Sequence, residues 1–249
     1  MKIFLIVQDE PFFLYDEIQK LTAATNVVGA TVLSQRLPND SFVKLVRRYL
    51  LIFGVFGFLK LALKTVYFKF IKRRDLKDLL RRSPGIQVID TISINAPDYV
   101  QSLREIAPDL IVSIACPQKL RSGILVTARQ GAINLHGGYL PDFPGVFTPF
   151  WNLLRGANEA GCTVHWIDEQ IDGGDIVART KFPINSHMTM MQIYELISSH
   201  GMQLLIETLS QIESGRAERI PNRHEAGAYN SFPNAADSHA FRKKGLKAI

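Results

Sequence analysis

Asn134 and His136 stand two residues apart in Ala132-Ile-Asn-Leu-His-Gly-Gly, and on a strand that spacing projects both side chains from one face. A second apolar segment, Gly161-Cys-Thr-Val-His-Trp-Ile, ends in Ile171-Asp-Gly-Gly-Asp and delivers Asp172 beside two glycines that let backbone approach a ligand closely. An amide donor, an imidazole and a carboxylate are the groups needed for acyl transfer to an amine, which proceeds through a tetrahedral oxyanion. No serine or cysteine occupies a nucleophile elbow, so the acyl group is expected to pass directly from donor to acceptor. A histidine at a strand end is also often a hydrogen-bonded structural residue. On spacing alone both readings stand.

The surrounding chain supplies the elements that such a site needs. Residues 3–7 read as a buried strand, 11–25 as a helix and Val27–Leu33 as a second strand, an opening that predicts a parallel sheet with right-handed crossovers. No GxGxxG lies between that strand and helix, which argues against a nicotinamide cofactor. Further strands are expected at Gly85–Ile94, Asp109–Ala115, Gly161–Ile167 and Ile176–Pro183, with helices at Asp98–Ala107, 121–128, Thr148–Arg155 and Thr189–Glu213. Asp109–Ala115 runs into Cys116-Pro-Gln-Lys-Leu120, a loop at the carboxyl edge of the sheet, where open α/β sheets bind ligands. The fold class is therefore α/β, Rossmann-like and mostly parallel. Residues 1–214 form the domain, and 215–249 read as a polar tail anchored near Tyr229 and Phe232.

The formal net charge of +6 is concentrated in one place: 41–85 holds twelve Lys or Arg against Asp75 and Asp78, a balance of +10, so the remainder sums to −4. Within this insertion, about 42–84, Tyr49–Leu59 is an eleven-residue run without charge, short of the roughly 20 residues a membrane span requires. Three readings are open for 42–82: a helical insertion packed on the sheet or on a second subunit, a cationic helix on a membrane surface, and nucleic-acid contact through Lys72-Arg73-Arg74. The first is favoured and the last is not expected, because a charge run is usually a solvated face. Cys116 and Cys162 give neither a disulfide framework nor a zinc spacing, which fits a reducing, cytoplasmic setting, and no residue is assigned to a metal. The opening Met-Lys-Ile-Phe-Leu-Ile-Val is too short an apolar run for a signal peptide.

At the chemistry-bearing residues the sequence resembles the folate-dependent formyltransferases. Their pattern, Asn-x-His-x-x-x-Leu-Pro-x-x-x-Gly, then Gly-x-Thr-x-His, then Asp-x-Gly, stands here as Asn134, His136, Leu140, Pro141, Gly145, Gly161, Thr163, His165, Asp172 and Gly174. The resemblance covers roughly 85–210. It implies transfer of a formyl group from N10-formyltetrahydrofolate to a primary amine, with Asn134 holding the oxyanion, His136 stabilising it or taking the amine proton, and Asp172 orienting His136. It places the pterin against Cys116–Leu120, with Gln118 and Leu120 as contacts, and against the turn from Ile167 through Ile171 to Asp172, largely through backbone. Thr163 and His165 would support the site.

Relatives often carry Ser-Leu-Leu-Pro and a basic residue before the loop glycine. Here Gly137-Gly138-Tyr139-Leu140-Pro141 and Pro144 stand instead, so that basic residue's phosphate contact does not carry over. Methionyl-tRNA formyltransferases add a C-terminal β-barrel, for which the 35 residues of 215–249 are too few, and the purine enzyme lacks an insertion like 42–82. The expected member is a sugar N-formyltransferase acting on a nucleotide- or lipid-linked amino sugar, with Tyr139, Phe147, Phe150 or Trp151 available to stack on the acceptor. The alternatives are a formyltetrahydrofolate hydrolase and a formyltransferase for a non-sugar amine such as a purine precursor or methionyl-tRNA. A homodimer and a peripheral position at the inner membrane face are further expectations.

Overall fold

The computed structural model describes residues 1–34, 41–223 and 229–249. Seven strands form one sheet: β1 (Ile3–Gln8), β2 (Val27–Leu33), β3 (Gln87–Val88), β4 (Leu110–Ile114), β5 (Ala132–His136), β6 (Glu159–Trp166) and β7 (Ile176–Pro183). Their order is β3-β2-β1-β4-β5-β6-β7. The first five are parallel, whereas β5–β6 and β6–β7 are antiparallel. The expected α/β class is what the chain adopts.

Burial on both faces explains why β1 and β4 read as unbroken apolar runs. Ile3, Leu5 and Val7 face one core together with Ile18 and Leu21 of α1 (Leu14–Ala24). Phe4 and Ile6 face the other, against Tyr99 and Leu103 of α4 (Pro97–Ile106) and Ile124 of α5 (Ser122–Leu125). Leu76 and Leu80 of α3 (Leu76–Arg82), with Leu205 and Leu209 of α7 (Met190–Glu213), complete the first layer. The strand expected over Gly85–Ile94 shrinks to two residues paired with Gly29 and Ala30, since only there does the edge find a partner.

The insertion departs furthest from its sequence reading. α2 (Phe42–Val66) is 25 residues long, continues as a π-helical turn over Tyr67–Ile71, and breaks at Gly54, whose φ of 67° lies outside the helical region. The segment Phe42–Arg82 is long and apolar enough to cross a membrane by length and composition, which corrects the limit read from the eleven uncharged residues. Lys60 and Lys64 interrupt the apolar run without ending the helix, because lysine is a good helix former. α2 does not lie on the sheet: Ile52 joins a separate core with Phe150 of α6 (Thr148–Leu154) and Phe241 of α8 (Ala235–Lys243). Arg74 is taken up by Asp16 and by the ring of Phe68, so the basic triplet is not a uniform charged face.

The expected tail contains α8, capped by Asn234, whose side chain accepts from Ala236 and Asp237. Phe241 is fully buried and stacks on Phe150 at 4.5 Å. Anchoring therefore rests on Phe241 and on Asn230, which is buried beside Gly145, while Tyr229 and Phe232 keep 45% and 38% of their surface exposed.

Candidate active site

Strand register assembles the site. On β5 and β6, Asn134 lies opposite His165 and His136 opposite Thr163, so the two residues spaced by two on β5 meet the two spaced by two on β6. The turn between β6 and β7 then brings Asp172 back over them. Its backbone φ of 53° is left-handed, and Asn222 holds the turn by donating its amide to the carbonyls of Asp172 and Gly174 at 2.7 and 3.2 Å.

The hydrogen bonds fix which atom carries which proton. His165 Nδ1 lies 2.8 Å from the Trp166 carbonyl and must donate to it, leaving Nε2 as an acceptor. That acceptor requires the amide nitrogen of Asn134, 3.2 Å away, and so sets the orientation of the Asn134 amide. One Asn134 N–H is thereby used and the second is left for a ligand. Burial first, and the neighbouring His136 second, hold the His165 imidazole below its ordinary pKa of 6.5, in agreement with a neutral acceptor.

His136 is placed differently. Its Nε2 donates to the carbonyl of Phe143 at 2.8 Å, while Nδ1 faces Asp172 Oδ1 at 3.6 Å. Asp172 Oδ1 also lies 3.7 Å from His165 Nε2, so the carboxylate stands between the two rings without a direct hydrogen bond to either. The other Asp172 oxygen accepts the Gly145 N–H at 2.7 Å, tying the carboxylate to the loop that supplies the Phe143 carbonyl. That loop is held from behind. Thr163 accepts from Leu140 N and donates to the Gly138 carbonyl, and Asn230 donates backbone and side-chain N–H groups to the Pro144 carbonyl. A Cβ on Gly145 would stand 2.2 Å from the Asn230 carbonyl, and φ there is +100°, so glycine is required.

The residues expected to meet a pterin fall into two groups. Gln118 is committed to the protein, accepting from Ile94 N and donating to the Ile92 carbonyl, and Leu120 is buried in the second core. Their side chains hold the loop in shape, and a pterin contact made largely through its backbone stays open. Cys116 donates to the Gln118 carbonyl, and burial pushes its thiol up to about 11, so it too acts as a loop staple. Ile167 packs at the edge of the same core, whereas Ile171 keeps 54% of its surface exposed next to Asp172. Lys119 spans the two walls by donating to the Glu169 carbonyl. A cleft with a backbone edge on one wall and an exposed apolar side chain on the other fits a planar, hydrogen-bonding ring.

Of the aromatic residues expected to stack on an acceptor, Phe150 is core. Trp151 is held by Phe150 and donates to the Ser231 carbonyl, while Tyr139 lies between Arg179 and Lys181. Phe147 packs against Tyr194 and Phe232. Asn222, Asn230 and Arg155, which meets the Asn230 side chain, were not singled out by any local pattern.

The role of His165 is testable without any ligand. The unfolded chain binds a proton on this imidazole near 6.5 and the folded chain resists it, so folding stability should be intact above that pH and fall as pH drops below it. His165→Gln should flatten the difference in unfolding free energy measured at neutrality and at a pH below 6.5. An unaltered difference would assign the pH dependence elsewhere.

The open α/β sheet, mostly parallel, places the chain in the doubly wound class, in which ligands bind at the carboxyl ends of the strands. The formyl transferase family profile matches residues 71–209, more than half of the chain and including Asn134, His136, His165 and Asp172. The chain belongs to the formyl transferase family. It is 31% identical over 145 residues to the methionyl-tRNA formyltransferase of Acetivibrio thermocellus, covering 58% of this chain and 47% of that protein. The enzyme of the same name from Clostridioides difficile is 29% identical over 165 residues, covering 66% and 53%. The chain spans about half the length of the curated relatives it matches.

Among solved structures, a sugar N-formyltransferase from Shewanella sp FDAARGOS_354 is 20% identical with a TM-score of 0.61, covering 96% of this chain and 86% of that one. An N-formyltransferase from Helicobacter canadensis, solved with folinic acid and dTDP-3-aminofucose, is 17% identical with a TM-score of 0.58, covering 100% and 84%. These likenesses establish the shared fold.

Proposed function

We propose that the chain transfers a formyl group from N10-formyltetrahydrofolate to a primary amine on a nucleotide- or lipid-linked amino sugar. The observation that carries this reading is the convergence of Asn134, His136 and Asp172 around one cleft, within the segment matched by the family profile. When bound, the folate supplies an activated formyl carbon. The free Asn134 N–H is oriented to hold the formyl oxygen as negative charge develops on it, with His136 standing beside it. Asp172 faces His136 and can receive the proton lost by the attacking amine, directly or through a water. The exposed Ile171 side chain and the backbone of 116–120 are the surfaces that would flank the pterin.

For the acceptor, support comes from extent: the likeness to sugar N-formyltransferases runs over nearly the whole chain, α8 included. The methionyl-tRNA enzymes give a second reading, supported by higher sequence identity over a shorter stretch. Release of tetrahydrofolate should require an amine. Supplying nucleotide-linked amino sugars in turn, and reading each by mass spectrometry for the gain of one formyl group, should identify the acceptor. Equal release without any acceptor would make the protein a hydrolase, and formylation of methionyl-tRNA alone would favour the second reading.

A further inference from the structure

All of α2 lies ahead of residue 71, where the match to the family begins, and nothing in the proposed reaction uses it. Its inner side is fastened to the domain. Ile52 and Leu61 are buried, Lys64 lies over the rings of Phe12, Phe13 and Phe68, and Lys69 and Arg74 pair with Asp9 and Asp16. Its outer side is apolar and open. Phe56, Leu59, Leu63, Val66 and Phe70 recur every three or four residues and are 89%, 52%, 72%, 53% and 72% exposed. That recurrence gathers them on one contiguous exposed stripe, the kind of apolar surface that marks an interaction site.

The charges around the stripe select the partner. From Ser41 to Arg74 there is no Asp or Glu. Lys60 is exposed between Leu59 and the next turn, and Lys72 and Arg73 are exposed where the stripe ends. We propose that this stripe docks on an anionic lipid bilayer, with its aromatic and aliphatic side chains at the headgroup boundary and its cations among the lipid phosphates. A second copy of the chain is a poorer occupant, because twofold pairing of this face would set its cations against the same cations with no carboxylate between them. Spanning is a poorer mode despite the helix's length, because it would strip Lys64, Lys69 and Arg74 from their partners and carry them into hydrocarbon. Ahead of the break at Gly54, α2 also reaches the active-site side of the domain: Arg48 stacks on Phe232 at 4.6 Å, and Phe232 packs on Phe147 beside the catalytic loop.

Vesicle co-sedimentation of the full chain tests the docking independently of any formyl transfer. Vesicles of phosphatidylcholine with phosphatidylglycerol should retain the protein at low salt and release most of it at high salt, and phosphatidylcholine alone should retain little. Phe56→Ser and Leu63→Gln should each lower partitioning about tenfold. Lys60→Gln and Arg73→Gln should each lower it about fivefold. Val126→Ser, at a residue 73% exposed elsewhere on the surface, should leave it unchanged. Circular dichroism would confirm that these outward-facing variants fold. Failure of the unaltered protein to bind at low salt overturns the proposal, as does binding that Phe56→Ser and Leu63→Gln leave intact. A dimer in solution that Phe56→Ser dissolves, with no vesicle capture, overturns it in favour of a second copy.

Discussion

Asn134→Ala should lower kcat by about 10²–10³-fold, the loss seen when one preorganised oxyanion donor is removed. The size of the effect follows from how the amide is held. His165 can only accept at Nε2, because its Nδ1 proton is committed to the Trp166 carbonyl, and this commits one Asn134 N–H and leaves the other aimed at the cleft. Alanine removes the donor without touching β5 pairing, which is made by the backbone. Stability should change by only about 1 kcal/mol for the lost hydrogen bond to His165. Folate binding, followed by equilibrium dialysis, should survive, because the pterin is expected to lie on backbone of 116–120 and 167–172. A variant that keeps its turnover would remove Asn134 from the chemistry. One that loses folate binding in proportion to turnover would make it a binding residue.

Much of this site could be read in advance, because its geometry is local. The period of two puts Asn134 and His136 on one face of β5, and the glycines after Asp172 mark a turn that can double back. The residues that hold these groups in place were not legible. Asn222 is 50 residues from the Asp172 carbonyl it holds, and Asn230 is 86 from that of Pro144. Contacts of that span leave no periodic trace, and both residues sit in a polar stretch that reads as a tail. α8 was hidden for a related reason. One fully buried apolar residue, Phe241, docks it, and a single apolar anchor gives no stripe. Gln118 has a supporting role of the same kind. Its place on a loop at the carboxyl edge suggests a ligand contact, and its side chain also braces that loop by accepting from Ile94 N and donating to the Ile92 carbonyl.

Asp172→Asn should cost about 10²–10⁴-fold in kcat, on the scale of losing general acid–base function, with little change in melting temperature. The substitution is nearly isosteric, and the asparagine oxygen can still accept the Gly145 N–H, so the turn and the catalytic loop should keep their places. What changes is the group facing His136. The Phe143 carbonyl already fixes a proton on Nε2. An amide NH₂ in place of Oδ1 would present a donor to Nδ1, and Nδ1 would then keep its lone pair to accept it. Nδ1 would lose the negative charge it faces, and the carboxylate able to take the amine's proton would be gone. Both losses arise at once because one carboxylate serves both groups, which is why the same residue must reach His136 with one oxygen and the loop with the other. Asp172→Glu separates the two functions. The charge is restored, but a longer side chain from a backbone fixed at φ 53° cannot keep both oxygens in place, so partial recovery of kcat with a lowered melting temperature is expected. Full activity in Asp172→Asn would mean that neither the placing of His136 nor the proton transfer depends on this carboxylate, and the mechanism would then rest on Asn134 alone.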